Sequence, residues 1–366
     1  TDLLVTGPDI LFFWVARMIM ATEKFAHTIP FKDVYFTSTI RDSKGRKLSK
    51  SLGNSPDPLN IIDKYGADAV RFTMIYLSPL GQDVRLDVDV KSQDIPSMQI
   101  GRNFANKIWN AARFIQLKKD DVESNDLEDV KLTFENLTFA DHWILSRLNS
   151  TIKTVNQNLS EYKLNDFSKI IYDFIWRDFC DWYIEIIKAE FSNAETTKRK
   201  AEIVKFALYI FEKTLFLLHP VMPFISEEIW HFLYDINDDE SISIKQFPIE
   251  NEEYISIDNE NDFEVIQLIV EEIRSLRATL GVQPSVQLPV NIHIEDSRFT
   301  KYIADLQLPI SDLAKVSQLQ INPANKPKHA IRSVVRGIGI EVLLDSKIDL
   351  HREITRLEKE IERLEK

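Results

Sequence analysis

The sequence predicts a multidomain, mainly α-helical protein in which a short parallel α/β segment carries a phosphate-type loop. Three observations predict this. At 366 residues the chain exceeds ordinary single-domain size. Apolar residues recur at helical spacing over four long stretches between 140 and 233. In residues 1–39 a strand, a helix and a strand follow one another into the loop Arg46-Lys47-Leu48-Ser49-Lys50-Ser51-Leu52-Gly53-Asn54, the order of a parallel sheet.

Thr1 to Thr6 reads as an apolar strand, Gly7-Pro8-Asp9 as a turn in which Asp9 can cap a helix, and Ile10 to Ala21 as that helix. Asp33 to Thr39 reads as the second strand. Pro58 suits the first turn of a helix over Leu59 to Tyr65, Gly66 ends it, and Ala67 to Leu77 begins another. Gly101 to Leu117 is amphipathic, with Phe104, Ile108, Ala112 and Ile115 on one face and Asn103, Asn106, Lys107, Asn110 and Arg113 on the other. Residues 120–135 are acidic and read as a link. Beyond them, helices are expected over Ala140–Leu159, Lys163–Phe191, Thr196–Leu218 and Phe224–Leu233. The aromatic stripe of the second, from Phe167 to Tyr183, reads as core.

Asp235 to Asp262 reads as an irregular acidic connection and Phe263 to Leu280 as a helix closed by Gly281. Strand patterns at Val286–Ile294, Ser317–Ile321, Ala330–Val335 and Ile338–Leu344 then imply a small α/β module. From Ile348 the residues His351, Ile354, Leu357, Ile361 and Leu364 continue at spacings of three and four, the start of a coiled coil.

Composition excludes several classes. With 44% apolar and 28% charged residues the chain is neither disordered nor membrane-embedded, and its longest apolar run, Ile10 to Ala16, cannot span a bilayer. Asp2 and Asp9, and no basic segment, precede that run, so no secretory leader is expected. Cys180 is the single cysteine, which rules out an internal disulfide and points to a reducing cytoplasm. The seven histidines are scattered without metal-ligand spacing, so no protein-bound metal is expected. The net charge of −12 conceals two basic islands: residues 41–50 carry five basic side chains against Asp42, and residues 101–119 carry five and no acid. Such clusters, rather than total charge, decide whether an anion binds.

The first island holds the loop. Lysine ammonium groups act as point charges on phosphate oxygens, serine hydroxyls donate to the same oxygens, and Gly53 lets the backbone turn. Lys47, Ser49, Lys50 and Ser51 therefore make a polyphosphate-binding set.

The segments Thr6-Gly7-Pro8-Asp9-Ile10-Leu11-Phe12-Phe13-Trp14-Val15-Ala16-Arg17-Met18-Ile19 and Gly45 to Asn54 together resemble the second half of a class I valyl-tRNA synthetase catalytic domain. The loop matches that class's KMSKS signature with Leu48 in place of methionine. Tyr65 to Phe72, Ser78 to Val84, Asn103 to Phe114, Phe179 to Tyr183 and His219 to Phe224 are similar to later segments of the same family, in the same order. The resemblance implies the C-terminal part of a Rossmann-type catalytic domain over residues 1–100. An α-helical anticodon-binding bundle over 101–250, a small α/β module over 262–345 and a truncated coiled-coil arm over 346–366 would follow.

It further implies a valine-tRNA ligase that consumes ATP, carrying its own Mg2+, L-valine and tRNA(Val), as a cytoplasmic monomer. Lys47 and Lys50 would neutralise the triphosphate as pyrophosphate leaves. Trp14 would wall the valine pocket, and Asp9 would help hold the substrate or adenylate. Arg102, Asn103, Lys107, Asn110 and Arg113 would meet tRNA. The family's His-x-Gly-His signature does not occur in this sequence, which implies a C-terminal portion, inactive alone. Alternatives are an isoleucyl- or leucyl-specific relative, a tRNA-binding module without chemistry, and a helical scaffold assembling through residues 348–366. The run Ile10-Leu11-Phe12-Phe13-Trp14 favours valine.

Overall fold

The computed structural model describes residues 1–344 except 235, 238, 326 and 328. The heptad-like segment from Ile348 lies outside the described residues. The chain is mostly helical and divides into two interleaved compact units. One comprises residues 1–124, 147–181 and 204–252, the other 125–146, 182–203 and 253 onward.

In the first unit β1 (Leu3–Thr6) and β2 (Asp33–Phe36) pair in parallel, with Leu3 opposite Asp33 and Thr6 opposite Phe36. Between them the expected single helix is replaced by a 3-10 turn over Pro8–Ile10, a π-helical turn over Leu11–Val15, and α1 (Ala16–Ala26). Pro8 takes the first position of the turn, where its fixed φ and missing N–H cost nothing. Asp9 thus falls inside the turn and caps no helix, a correction to its expected capping role.

A second parallel pair, β3 (Ile40–Arg41) and β4 (Val84–Arg85), flanks the loop. It is followed by α2 (Pro58–Tyr65), capped by the Asp57 carboxylate, and α3 (Ala67–Tyr76), with Gly66 between them at φ +95°. Ile61, Tyr65, Ala69, Val84, Leu86 and Met98 are buried together, and Ile40 packs against them. Burying apolar side chains of this size stabilises the fold by about 2 kcal/mol each. This cluster is the floor under the strand that launches the loop.

Helix α4 (Gln99–Asp120) buries Phe104, Ile108, Ala112 and Ile115, the face its period predicts. Its Phe104 ring lies 4.7 Å from that of Phe72 on α3. The stretch read as a link contains one short helix, α5 (Ser124–Asp129). Helices α6 (Phe139–Ser160), α7 (Leu164–Asp173), α8 (Ile184–Asn193), α9 (Thr197–Leu218) and α10 (Pro223–Leu233) follow. The expected continuous helix over Lys163–Phe191 is interrupted by a π-helical segment, Phe174–Tyr183. Phe174 and Phe179 are five residues apart, so i→i+5 bonding turns both inward, and both are buried. Asp68 on α3 accepts the N–H groups of Phe224 (3.4 Å) and Ile225 (2.6 Å), placing a carboxylate at the N-terminus of α10. Arg71 donates to the carbonyls of Val221 (3.1 Å) and Pro220 (3.2 Å) just before it.

The second unit contains α11 (Ile257–Thr279), which starts earlier than expected because the Ser256 hydroxyl caps it by accepting the Asn259 N–H. The sheet follows as β5 (Leu288–His293), β6 (Val316–Ile321), β7 (Ala330–Val335) and β8 (Ile338–Leu343) in the order β6-β5-β8-β7. Only β5 and β6 are parallel, and a parallel pair needs a crossover. Two helices not foreseen, α12 (Ser297–Asp305) and α13 (Gln307–Ala314), supply it. Their buried residues Ile303, Ile310 and Ala314, with Leu306 at the junction between them, carry a helical period that the strand-centred reading passed over. Among the described residues no helix is long and apolar enough to cross a membrane.

Candidate functional site

The loop between β3 and α2 is held by its backbone and by two buried side chains. Leu48 N–H donates to the Ile40 carbonyl (3.0 Å) and Asp42 N–H to the Arg46 carbonyl (2.9 Å), so the chain doubles back on β3. Gly45, at φ +79°, makes the reversal and donates to Asp42 O at 2.9 Å. Asp42 fills the turn: Oδ1 accepts the N–H groups of Lys44 (3.0 Å) and Arg46 (2.9 Å), and Oδ2 accepts Arg46 Nε at 2.8 Å. The Asn54 amide also donates to Oδ2, at 3.1 Å. That amide foremost, opposed by burial and aided by Arg46, holds the Asp42 carboxyl well below the usual carboxylate range.

Ser49 opens a short 3-10 turn over Lys50–Leu52, its hydroxyl accepting the Ser51 N–H at 3.2 Å. The two serine hydroxyls lie 2.7 Å apart, and Gly53 closes the turn at φ +64°. Lys47 Nζ bonds Asp9 Oδ2 at 3.0 Å, and this hydrogen bond and charge lower the Asp9 pKa. Lys50 is exposed. The structure therefore brings Asp9, Lys47, Ser49, Lys50 and Ser51 together. Trp14 stands half-exposed in the π-helical turn beside exposed Phe12 and Phe13.

On α4 the five side chains expected to face tRNA are not equivalent. Arg102, Asn103, Asn110 and Arg113 are exposed. Arg102 donates to the Lys64 carbonyl at 2.8 Å, and Asn103 accepts from Gln99 at 2.7 Å. Lys107 is half-buried, pairs with Asp181 at 2.5 Å and lies 5.1 Å over the Trp176 ring. Lys107 thus has a packing role within its unit, and Arg113 is the cation most open to an external phosphate.

Sequence reasoning missed Asp42 and Asn54 as the supports of the loop. Asn54 stood inside the quoted motif, but nothing in its spacing shows that its side chain turns inward. It also missed a cavity of roughly 860 Å³ in the second unit, lined in part by Phe139, His142, Glu190, Arg199, Lys301 and Tyr302. On its wall Arg199 pairs with Glu190 at 2.8 Å, while the buried Tyr183 hydroxyl donates to Asp141 at 2.7 Å. Burial, with the Asp141 charge adding to it and Arg199 opposing it, pushes Glu190 up to about 7. A carboxyl whose folded pKa is raised stabilises most below its unfolded pKa, and that contribution is lost as pH rises through about 7. Glu190→Gln is expected to flatten the fall in stability between about pH 4.5 and 7. Urea midpoints at pH 5 and pH 8 check this, and an unchanged difference between them in the variant refutes it. Among the described residues no group of three or more His, Cys, Asp or Glu is placed to hold a metal ion.

Two family models match in order along the chain: tRNA synthetases class I (I, L, M and V) over residues 1–87, and the anticodon-binding domain of tRNA ligase over residues 141–292. The valine-tRNA ligase of Chlorobaculum tepidum is 40% identical over 99% of this chain and 40% of its own length. That of Petrotoga mobilis is 40% identical over 100% of this chain and 40% of its own length. The chain thus spans about 40% of the length of these curated relatives. Among solved structures, methionyl-tRNA synthetase of Mycobacterium tuberculosis in complex with methionyl-adenylate matches at TM-score 0.53 and 20% identity, covering 66% of this chain and 46% of that one. The ternary complex of Agrobacterium radiobacter LeuRS, tRNA and LeuAMS matches at TM-score 0.50 and 18% identity, covering 70% of this chain and 30% of that one. These two likenesses concern the fold alone. Matched by both family models in order and by relatives near 40% identity along its whole length, the chain belongs to the valine-tRNA ligase family of class I aminoacyl-tRNA synthetases.

Proposed function

We propose that the whole protein is a valine-tRNA ligase, joining L-valine to tRNA(Val) with conversion of ATP to AMP and diphosphate. This chain contributes the KLSKS loop and the tRNA-binding half. The observation that carries the reading is the loop itself: a basic, serine-bearing turn on a rigid base, with Lys50 exposed, in a chain that matches valine-tRNA ligases throughout. Lys47 and Lys50 are the ATP-binding cations, with Ser49 and Ser51 donating to phosphate oxygens and Mg2+ arriving with the nucleotide. Asp9 and Trp14 belong to the amino-acid side of the site, and the contact of Asp9 with Lys47 supports placing them beside the nucleotide. We further propose residues 1–100 as the C-terminal part of the catalytic domain, 101–250 as the anticodon-binding bundle and 262–345 as an α/β module, in a cytoplasmic monomer.

Activation must hold valine and ATP in one geometry, and the His-x-Gly-His pattern is not in this sequence. The 366-residue chain alone is therefore expected to give no valine-dependent ATP–pyrophosphate exchange, and the whole protein to give it with valine in preference to isoleucine and leucine. Exchange driven better by either of the latter two refutes the assignment.

The exposed basic face of α4 supports tRNA binding by the chain itself. Arg113→Glu is expected to weaken tRNA binding and to reduce the slope of log K against log salt by about 1, the contribution of one phosphate contact. Lys107→Ala removes the pair with Asp181 and is expected to lower stability more than it lowers the salt slope. Gel shifts over a salt series, paired with urea melts, separate the two. Equal salt slopes for Arg113→Glu and wild type reject the α4 surface.

A further inference from the structure

We propose that Asn54 and Asp42 are positioning residues that hold the KLSKS backbone in a fixed register for polyphosphate, a role that rests on the ATP reading above. Asn54 is fully buried and Asp42 nearly so, yet most of the loop residues between them are exposed. The Asn54 side chain meets the loop as a paired strand would. Its Nδ2 donates to the Lys47 carbonyl at 3.3 Å and its Oδ1 accepts the Ser49 N–H at 2.9 Å, one contact on either side of Leu48. The same Nδ2 donates to Asp42 Oδ2 at 3.1 Å, which ties this contact to the turn that Asp42 organises through Lys44 and Arg46. One amide thus joins the entry of the loop to its exit.

The consequence is a division of labour. Backbone at Lys47 and Ser49 is fixed from beneath, and because the Ser49 hydroxyl caps the turn of Lys50–Leu52, fixing Ser49 also sets where Lys50 leaves the backbone. The Lys50 side chain is exposed and can reach a ligand directly, while that of Lys47 must first leave Asp9. Only an amide serves at position 54, because the site requires a donor toward Asp42 and Lys47 O and an acceptor toward Ser49 N–H at once. A carboxylate there would set a second negative charge against Asp42, and an apolar residue would leave that buried carboxylate short of a partner.

Two measurements test this. In the 366-residue chain, Asn54→Ala is expected to speed hydrogen exchange at the Ser49 amide, and tryptic cleavage after Lys47 and Lys50, by about tenfold, with the amides of β5 and β8 unchanged. In the whole protein the same substitution is expected to raise KM for ATP about tenfold in pyrophosphate exchange while KM for valine stays within twofold, with Asn54→Asp worse. If Asn54→Ala does not fold, Asp42→Asn, which keeps the volume and removes the charge, must show the same ordering of effects. Unchanged exchange at Ser49 overturns the proposal. So does a loosened loop in which the two KM values move together. A wild-type protein without any pyrophosphate exchange defeats the ATP reading instead, and the Ser49 amide and tryptic cleavage still decide whether the pin holds the loop.

Discussion

Lys50→Ala in the whole protein is expected to slow valine activation about 10²- to 10³-fold, the usual consequence of deleting one preorganised group that meets developing charge. The expectation follows from where the structure leaves the two lysines. Lys47 is engaged with Asp9 at 3.0 Å, whereas Lys50 is exposed at the start of a capped turn, with its backbone set and its ammonium group outward. A phosphate arriving at Lys47 must displace a carboxylate, and one arriving at Lys50 displaces water. Lys47→Ala is therefore expected to cost less in rate than Lys50→Ala, and to cost more again when Asp9 is changed to Asn in the comparison enzyme. Pre-steady-state measurement of adenylate formation checks both, because it separates the chemical step from product release. Equal losses for the two lysines, or a Lys50→Ala loss that falls wholly in the KM for valine, would sink this assignment.

The parts of this site that were legible in the sequence are those whose side chains face outward. Lys47, Ser49, Lys50 and Ser51 suggest a phosphate loop by residue type, a reading that the neighbouring segments strengthen, and Gly53 suggests its turn. Their supports were not legible, because Asp42 and Asn54 look in sequence like two more polar loop residues, and only burial separates them from solvated neighbours. Long periodic helices such as α4 and α9 were read to within a few residues, since one apolar face fixes the period. Gly7-Pro8-Asp9 reads as a turn and Ile10 to Ala21 as one ordinary helix, because the run Leu11 to Val15 fits helical spacing equally well in α or π form. The choice between them is left to tertiary context, which spacing does not carry. Lys107 shows a different limit: a cation on a polar stripe reads as a ligand contact, and its spacing does not reveal the pair with Asp181, 74 residues away in sequence.

The same logic gives the largest expected loss of stability at a residue with no side chain. Gly101 lies in the first turn of α4 against α3, and a Cβ placed there would lie 2.2 Å from the Ala69 carbonyl oxygen and 2.7 Å from both Ala69 Cα and Thr73 Oγ1. Its N–H donates to Thr73 Oγ1 at 3.0 Å, so the two helices touch through backbone. Gly101→Ala should gain about 1 kcal/mol in helix propensity. The overpacking it forces should cost about 3–4 kcal/mol, because backbone cannot move aside as a flexible side chain can. The net expectation is a loss of about 2–3 kcal/mol in the urea unfolding of the chain. Adding Thr73→Ala clears the hydroxyl but not the Ala69 backbone, so it should recover only a part of the loss. Full recovery would show that the contact is a side-chain fit. The position bears on function because α3 follows the phosphate loop through α2, while α4 carries Arg102 and Arg113. A shift of α4 on α3 should therefore weaken tRNA binding in Gly101→Ala even under conditions where the chain stays folded. Wild-type affinity in a folded variant would mean that the spacing of the two helices does not set the α4 surface.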